Sequence, residues 1–354
     1  MMQRPTEKLV EFADALALKH VEVHQQLGHY TGIVTLHGLA RLASEGGQPE
    51  ALARVKDELK PFLSGEMDFH CNFPNYLCGG NATAWLLYKG LLPEAEKSVR
   101  FYADEILKDA SKDSEGILQM TKGTPGRIWI DVAFAVSPFL IFAGMALGEE
   151  AYIEEGVQQT FKMVDIFRNG ETGLLHQCRG FCGEMKLSDD HWSRGNGWGA
   201  YALCELACEL PDDHKHKAES IFRFKDLMNH VLKFQDDKGL WHQEMTWKDY
   251  KPDSYVETSG SGLFLYALAA GIKAGIADEH WMEAYRKGMR GILTYISFDY
   301  DVFHTCKGCL CPGEGTKLDY AARPPVVNDP HAFGPLVLCF GQAAQLGISK
   351  LGEL

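Results

Sequence analysis

The chain has 354 residues, 45% of them hydrophobic and 23% charged, with a formal net charge of -13 at pH 7. That composition suits a globular protein with a large core. The negative balance argues against nucleic acid and anionic membrane surfaces as partners, because both repel an acidic protein. An anionic ligand would need a local positive anchor.

Helical periodicity runs through the chain. It predicts about twelve helices, at roughly 5–27, 32–45, 49–64, 79–91, 93–111, 127–147, 149–168, 194–210, 212–236, 257–274, 277–297 and 331–346. Residues 1–16 lack the basic start, apolar run and small-residue cleavage site of a secretory leader, so none is expected. Segments 50–62 and 211–234 are amphipathic and charged. Segments 79–90, 129–147, 195–206 and 259–274 are rich in Ala, Gly, Leu and aromatics. The two kinds largely alternate, and no long period-two pattern marks a sheet. The apolar run 129–148 has the length of a membrane span. Asp131 and Pro138 interrupt it and no basic flank accompanies it, so a buried helix is the reading.

Three short loops resemble one another. They are Glu115-Gly116-Ile117-Leu118-Gln119, Glu171-Thr172-Gly173-Leu174-Leu175-His176-Gln177 and Lys238-Gly239-Leu240-Trp241-His242-Gln243. Each is a glycine turn, two apolar residues, then His or Gln. This is a diverged repeat of one helical hairpin plus a loop. Six such hairpins closed in a ring give an all-α (α/α)6 barrel, with six inner small-residue helices and six outer amphipathic ones. The loops at one end would converge on a central pocket. No linker divides the chain, so one domain over 1–354 is expected. An open helical-repeat array built for binding is the rival.

The densest chemistry is His191-Trp192-Ser193-Arg194-Gly195-Asn196-Gly197-Trp198. Indoles stack on sugar rings, and a guanidinium grips a carboxylate in a planar, two-pronged way. The glycines allow close approach of ligand and backbone. The stretch therefore suits a ring-shaped ligand bearing an acid; a structural turn with core tryptophans is the plainer alternative. Asp131 is the sole acid between Arg127 and Gly148. Apolar surroundings should raise its pKa and make it a proton donor; a surface acid favoured by the helix dipole is the alternative. His176 and His242 close two repeat loops, with Trp241 and Gln243 as candidate pocket wall. Thr258 and Ser259 are read as helix caps. Asp329-Pro330 opens the last inner helix, and His331 is placed to face the pocket.

Ten cysteines are too sparse for a disulfide scaffold. A reducing, cytoplasmic setting fits them. Cys306, Cys309 and Cys311, with His304 nearby, offer one Cys-x-x-Cys without a second pair, so a loop of free thiols is preferred to a metal site. Phosphate-loop, nucleophile-turn and zincin motifs are absent from the sequence.

Trp192-Ser193-Arg194-Gly195-Asn196-Gly197-Trp198 closely resembles the Trp-x-Arg-Gly-Asn-Gly-Trp signature of the unsaturated rhamnogalacturonyl hydrolases, glycoside hydrolase family 105. It is similar also to the unsaturated glucuronyl hydrolases, family 88. Trp129-Ile130-Asp131, Thr172 to His176, Tyr255 to Ser259 and Asn328 to His331 match in order, so the resemblance covers about 30–343. It implies an (α/α)6 barrel and an oligosaccharide substrate ending in a 4,5-unsaturated uronate. It implies that Asp131 protonates C4 and helps water add at C5, that Arg194 holds the uronate, that Trp198 stacks on its ring and that His176 meets its hydroxyls. Trp192, Asn196 and His331 complete the expected contacts, and no metal or organic cofactor is expected. The family's usual second Asp falls near Asn75, which can bind a hydroxyl but cannot act as a base. Its usual His is replaced in Met120-Thr121-Lys122. Two other readings stay open: an ordinary glycosidase or epimerase on the same barrel, with Glu257 or Asp329 as second carboxylate, and a non-catalytic sugar-binding protein.

Overall fold

The structure is a computed structural model that describes residues 4–25, 27–67, 73–119, 126–247, 254–309 and 316–354. In chain order the helices are α1 (Leu9–His24), α2 (Tyr30–Glu45), α3 (Pro49–Leu63), α4 (Gly80–Tyr88), α5 (Glu96–Lys108), α6 (Asp131–Leu147), α7 (Glu150–Phe167), α8 (Ser193–Glu209), α9 (Lys217–Leu232), α10 (Thr258–Lys273), α11 (Trp281–Leu293), α12 (Lys317–Ala322) and α13 (Phe333–Ala344). The short helix α12 had no counterpart among the predicted segments. Two antiparallel pairs of two-residue strands accompany them: β1 (Ile128–Trp129) with β2 (Cys178–Arg179), and β3 (Thr305–Cys306) with β4 (Pro325–Val326).

Helices α2, α4, α6, α8, α10 and α13 each pack on the next, and α13 closes on α2. This is the inner ring of an (α/α)6 barrel. Helices α3, α5, α7, α9 and α11 lie outside it against their sequence neighbours, and α1 lies outside it chiefly against α13. The inner helices are small-residue rich because their backbones crowd. A Cβ on Gly260 would lie 2.7 Å from the Ser193 backbone, and one on Gly334 would lie 2.7 Å from the Val34 side chain. Glycines of the Arg194 signature serve the same end: a Cβ on Gly197 would meet Leu263 of α10 at 2.7 Å. Their expected role in admitting ligand is thus corrected to helix packing.

The apolar run 129–148 forms α6, buried from Val132 through Gly144. Among the described residues no helix is long and apolar enough to cross a membrane. Pro138 lies inside α6 and cannot donate to the Phe134 carbonyl. Asn81 Nδ2 donates to that carbonyl instead, at 3.1 Å, while Asn75 Nδ2 donates to the neighbouring Ala135 carbonyl at 2.8 Å.

The three repeated loops are real and a fourth joins them. Asp113, Asn169 and Asp236 each accept two loop N–H groups, and Ser297 Oγ accepts from Asp299 and Asp301 in the same way. Gly116, Gly173 and Gly239 have positive φ there, and the fourth loop places Tyr300 at φ 61°. Its hydroxyl donates to Glu7 at 2.6 Å and its ring lies under the Arg4 guanidinium, contacts that hold a conformation normally left to glycine.

Candidate active site

All six inner helices begin at one end of the ring, at Tyr30, Gly80, Asp131, Ser193, Thr258 and Phe333. Their N-termini carry partial positive charge, which favours anions. Asp131 is the first residue of α6, and its Oδ2 is sealed from water without a hydrogen-bond partner. The residue as a whole keeps some exposure. Burial pushes its carboxyl up to about 6, against the Arg194 charge, its own backbone N–H and the Trp198 indole N–H, which pull it down. A carboxyl so placed holds its proton well above the usual carboxylate range.

Arg194, at the start of α8, is fully buried and near enough to Asp131 for its charge to act on that carboxyl. Its Nη1 donates to Ser259 Oγ at 2.9 Å and to the Cys306 carbonyl at 2.8 Å. Its Nε and Nη2 have no partner among the described residues. These two N–H groups form one parallel edge of the guanidinium, the edge that takes a carboxylate bidentately. The plane is fixed from below by the Trp192 ring, 4.5 Å from the guanidinium carbon, and from the side by Glu257 at 3.8 Å.

Glu257 caps α10, a role sequence reading gave to Thr258 and Ser259. Its carboxylate accepts from Ser259 N and Oγ, Gly260 N, Cys306 N and Ser193 Oγ. Five donors saturate a carboxylate, so Glu257 is a structural hub rather than a second catalytic acid. The signal was its position just before a Thr-Ser-Gly-Ser-Gly helix start.

His331 is nearly buried. Its Nδ1 lies 2.5 Å from Asp329 Oδ1, and its Nε2 meets the Tyr30 hydroxyl. Burial and the Arg194 charge hold His331 down at about 4, so it is neutral near pH 7. Burial works against a charge on Asp329, but the His331 contact and the Arg194 charge outweigh it and hold the carboxyl below its ordinary value, so it is ionised. Nδ1–H therefore donates to Asp329, and Nε2 accepts from Tyr30. Asp329 is committed to this pair. Sequence reasoning missed Tyr30, whose only mark was its place at a helix start.

His176 offers a buried Nδ1 without a partner, while its Nε2 meets Asn169 Nδ2 at 3.2 Å. Its ring lies 4.8 Å from that of His191. Behind them stand Asp190, pushed up to about 7 by burial, and Glu244, raised for the same reason. Neither acid stood out in the sequence.

Other expected contacts resolve differently. Asn196 Oδ1 accepts from Leu175 N at 2.7 Å, and its Nδ2 donates to the carbonyls of Leu175 and Trp192. The amide is fully engaged in tying the 172–176 loop to α8, so its expected ligand contact is corrected to a positioning role. Trp198 is buried with one face stacked on Phe134 at 3.8 Å, and its indole N–H has no hydrogen-bond partner among the described residues, though it is near enough to Asp131 to lower that carboxyl's pKa. Asn75 is buried against α6, its Oδ1 alone unpartnered. Trp241 is core, its N–H bonded to the Val231 carbonyl, and half-buried His242 pairs through Nε2 with Asp236 at 3.3 Å while its Nδ1 has no partner among the described residues. Among the described residues no group of three His, Cys, Asp or Glu is placed to hold a metal. Cys306 is buried and receives Gln243 Nε2, whereas Cys311 and the 120–122 stretch lie outside the described residues.

A family model described as Glycosyl Hydrolase Family 88 matches residues 5–346. The chain belongs to glycosyl hydrolase family 88. This family 88 chain is 28% identical over 171 residues to the unsaturated rhamnogalacturonyl hydrolase YesR of Bacillus subtilis, covering 47% of this chain and 48% of that protein. It is 28% identical over 175 residues to the unsaturated 3S-rhamnoglycuronyl hydrolase of Formosa agariphila, covering 46% and 45%. The match thus spans about half the length of these curated relatives. A solved family 105 glycoside hydrolase of C. acetobutylicum superposes with a TM-score of 0.81 at 21% identity, over 93% of this chain and 98% of that one, a likeness of fold.

Proposed function

We propose that this family 88 chain removes a terminal 4,5-unsaturated uronic acid from lyase-generated oligosaccharides. The observation that carries the reading is the unoccupied Nε/Nη2 edge of Arg194 in the basin where Asp131 holds a proton. The guanidinium edge binds the uronate carboxylate. Asp131 gives its proton to C4 of the enol ether, and positive charge develops at C5. The resulting Asp131 carboxylate takes a proton from the water that adds to C5. The hemiketal so formed opens and releases the remaining saccharide. His176 contacts the sugar through its free Nδ1, while His331, with both ring nitrogens engaged, positions Tyr30. Trp192 acts beneath Arg194 rather than on the sugar face. The named activities of the two curated relatives support this chemistry. An ordinary glycosidase is disfavoured because Glu257 and Asp329 are both engaged. Buried thiols outside any disulfide at Cys204, Cys306 and Cys339 support a reducing, cytoplasmic setting.

The test is a panel of lyase-generated oligosaccharides followed by loss of the enol-ether ultraviolet absorbance. Turnover is expected for the wild type. Asp131→Asn should lose about 10²–10⁴-fold in kcat, the usual scale of general acid–base catalysis, while binding persists by calorimetry. Undiminished turnover in that variant, or none in the wild type with every substrate, overturns the reading.

A further inference from the structure

A second cavity of about 930 Å³ opens between the 111–119 loop, the 126–127 segment and the 180–185 loop. It lies at the upper end of the size range of small-molecule clefts, ~300–1,000 Å³. Its walls are built. Arg179, buried, ties β2 to the 111–119 loop through Asp113 and Glu115, at 2.7 and 2.5 Å. Gly180, at φ 83°, lets the 180–185 loop approach the 126–127 segment, where a Cβ would lie 2.4 Å from the Gly126 carbonyl.

A stacked column joins this groove to the segment that carries Asp131. Trp129, two residues before Asp131, stacks on Phe181 at 4.9 Å and 19°. The Arg127 guanidinium lies over the Phe181 ring, 5.5 Å from its centroid. Arg127 meets no carboxylate among the described residues, whereas Lys112 pairs with Glu155 and Arg179 with Asp113. A guanidinium over an aromatic ring, with no hydrogen-bond partner among the described residues and a groove beside it, suits recognition of a ligand. Glu184 in the same groove supplies acceptors for hydroxyls.

We infer that this groove binds the leaving saccharide beyond the sugar that is cleaved off, with Arg127 as its anchor. The inference rests on the hydrolase reading above and extends it. The groove makes the enzyme prefer longer chains. Binding energy from sugars remote from the reacting bond then appears in kcat/KM.

The experiment measures kcat/KM for an unsaturated disaccharide and a tetrasaccharide of one lyase digest, in the wild type, Arg127→Ala and Ser114→Trp. Ser114 is an exposed groove residue, and the indole would fill the space without touching Arg127's chemistry. In both variants the tetrasaccharide-to-disaccharide ratio should fall about tenfold or more, with unchanged far-ultraviolet circular dichroism. A ratio within twofold of wild type in both variants overturns the groove and leaves the hydrolase reading standing. Calorimetry with the same two saccharides separates the other failure. Length-dependent binding, lost in both variants, with no turnover by the wild type would remove the hydrolase reading and keep the groove. Length-independent binding and turnover would remove the groove.

Discussion

Asp131 is held in a state that folding alone would not choose. Its pKa is about 6 against an ordinary value of 3.8. The folded state therefore binds this proton more tightly than the unfolded state. Between roughly pH 4 and 6 stability falls as pH rises, and above that window the whole penalty persists, about 2–3 kcal/mol. Asp131→Asn should unfold at higher denaturant than wild type at pH 8 and match it at pH 3. Equal midpoints at pH 8 would show that burial of the carboxyl has no cost. The catalytic counterpart is a rate that declines as pH climbs past about 6, where the proton is lost. Asp131 and Arg194 were legible in the sequence because their types have few other uses in such surroundings. Tyr30 and Asp190 were not, since a tyrosine at a helix start and an acid beside a histidine are common. Asn196 misled because an amide serves backbone carbonyls as well as sugars.

At the scale of elements, α6 depends on its neighbour. Pro138 frees the Phe134 carbonyl and Asn81 of α4 answers it. Asn81→Ala should cost about 1–3 kcal/mol, the penalty for a buried polar group left unpaired. Pro138→Ala restores the missing N–H, so the same Asn81→Ala change should cost measurably less in that background. A double-mutant cycle by chemical denaturation reads the difference, and additive effects would refute the coupling. The alternation of helix kinds was readable because crowded inner backbones demand small residues while outer helices keep a wet face. The fourth repeat loop escaped because Tyr300 stands where the other copies use glycine. A glycine-based pattern cannot see a turn stabilised from outside by Glu7 and Arg4.

Across the whole molecule, the basin has a polar floor. Below Tyr30 and Arg194, His37 Nδ1 lies 2.5 Å from the Tyr201 hydroxyl. Another turn down, Arg41 meets Glu205, Glu209 and Glu45, and Tyr266 donates to Glu205 at 2.5 Å. These groups sit on α2, α8 and α10, so no local pattern in the sequence reveals them. Three carboxylates share one guanidinium, and burial pushes Glu205 up to about 7. Glu205→Ala would leave Tyr266 unpaired and weaken the hold on Arg41, with an expected loss of about 3–5 kcal/mol. A shifted denaturation midpoint with an unchanged m-value would confirm it; a loss under about 1 kcal/mol would mean the closed end tolerates a gap.

The common origin of the inner helices at one rim has a kinetic consequence. A molecule with a formal charge of -13 discourages acidic saccharides over most of its surface and welcomes them at a single doorway. Dissolved ions shorten the reach of that discouragement to about 10 Å at 0.1 M. Capture of heavily charged chains should thus quicken as ionic strength rises from very low values, opposite to the behaviour of a basic protein meeting the same polymer.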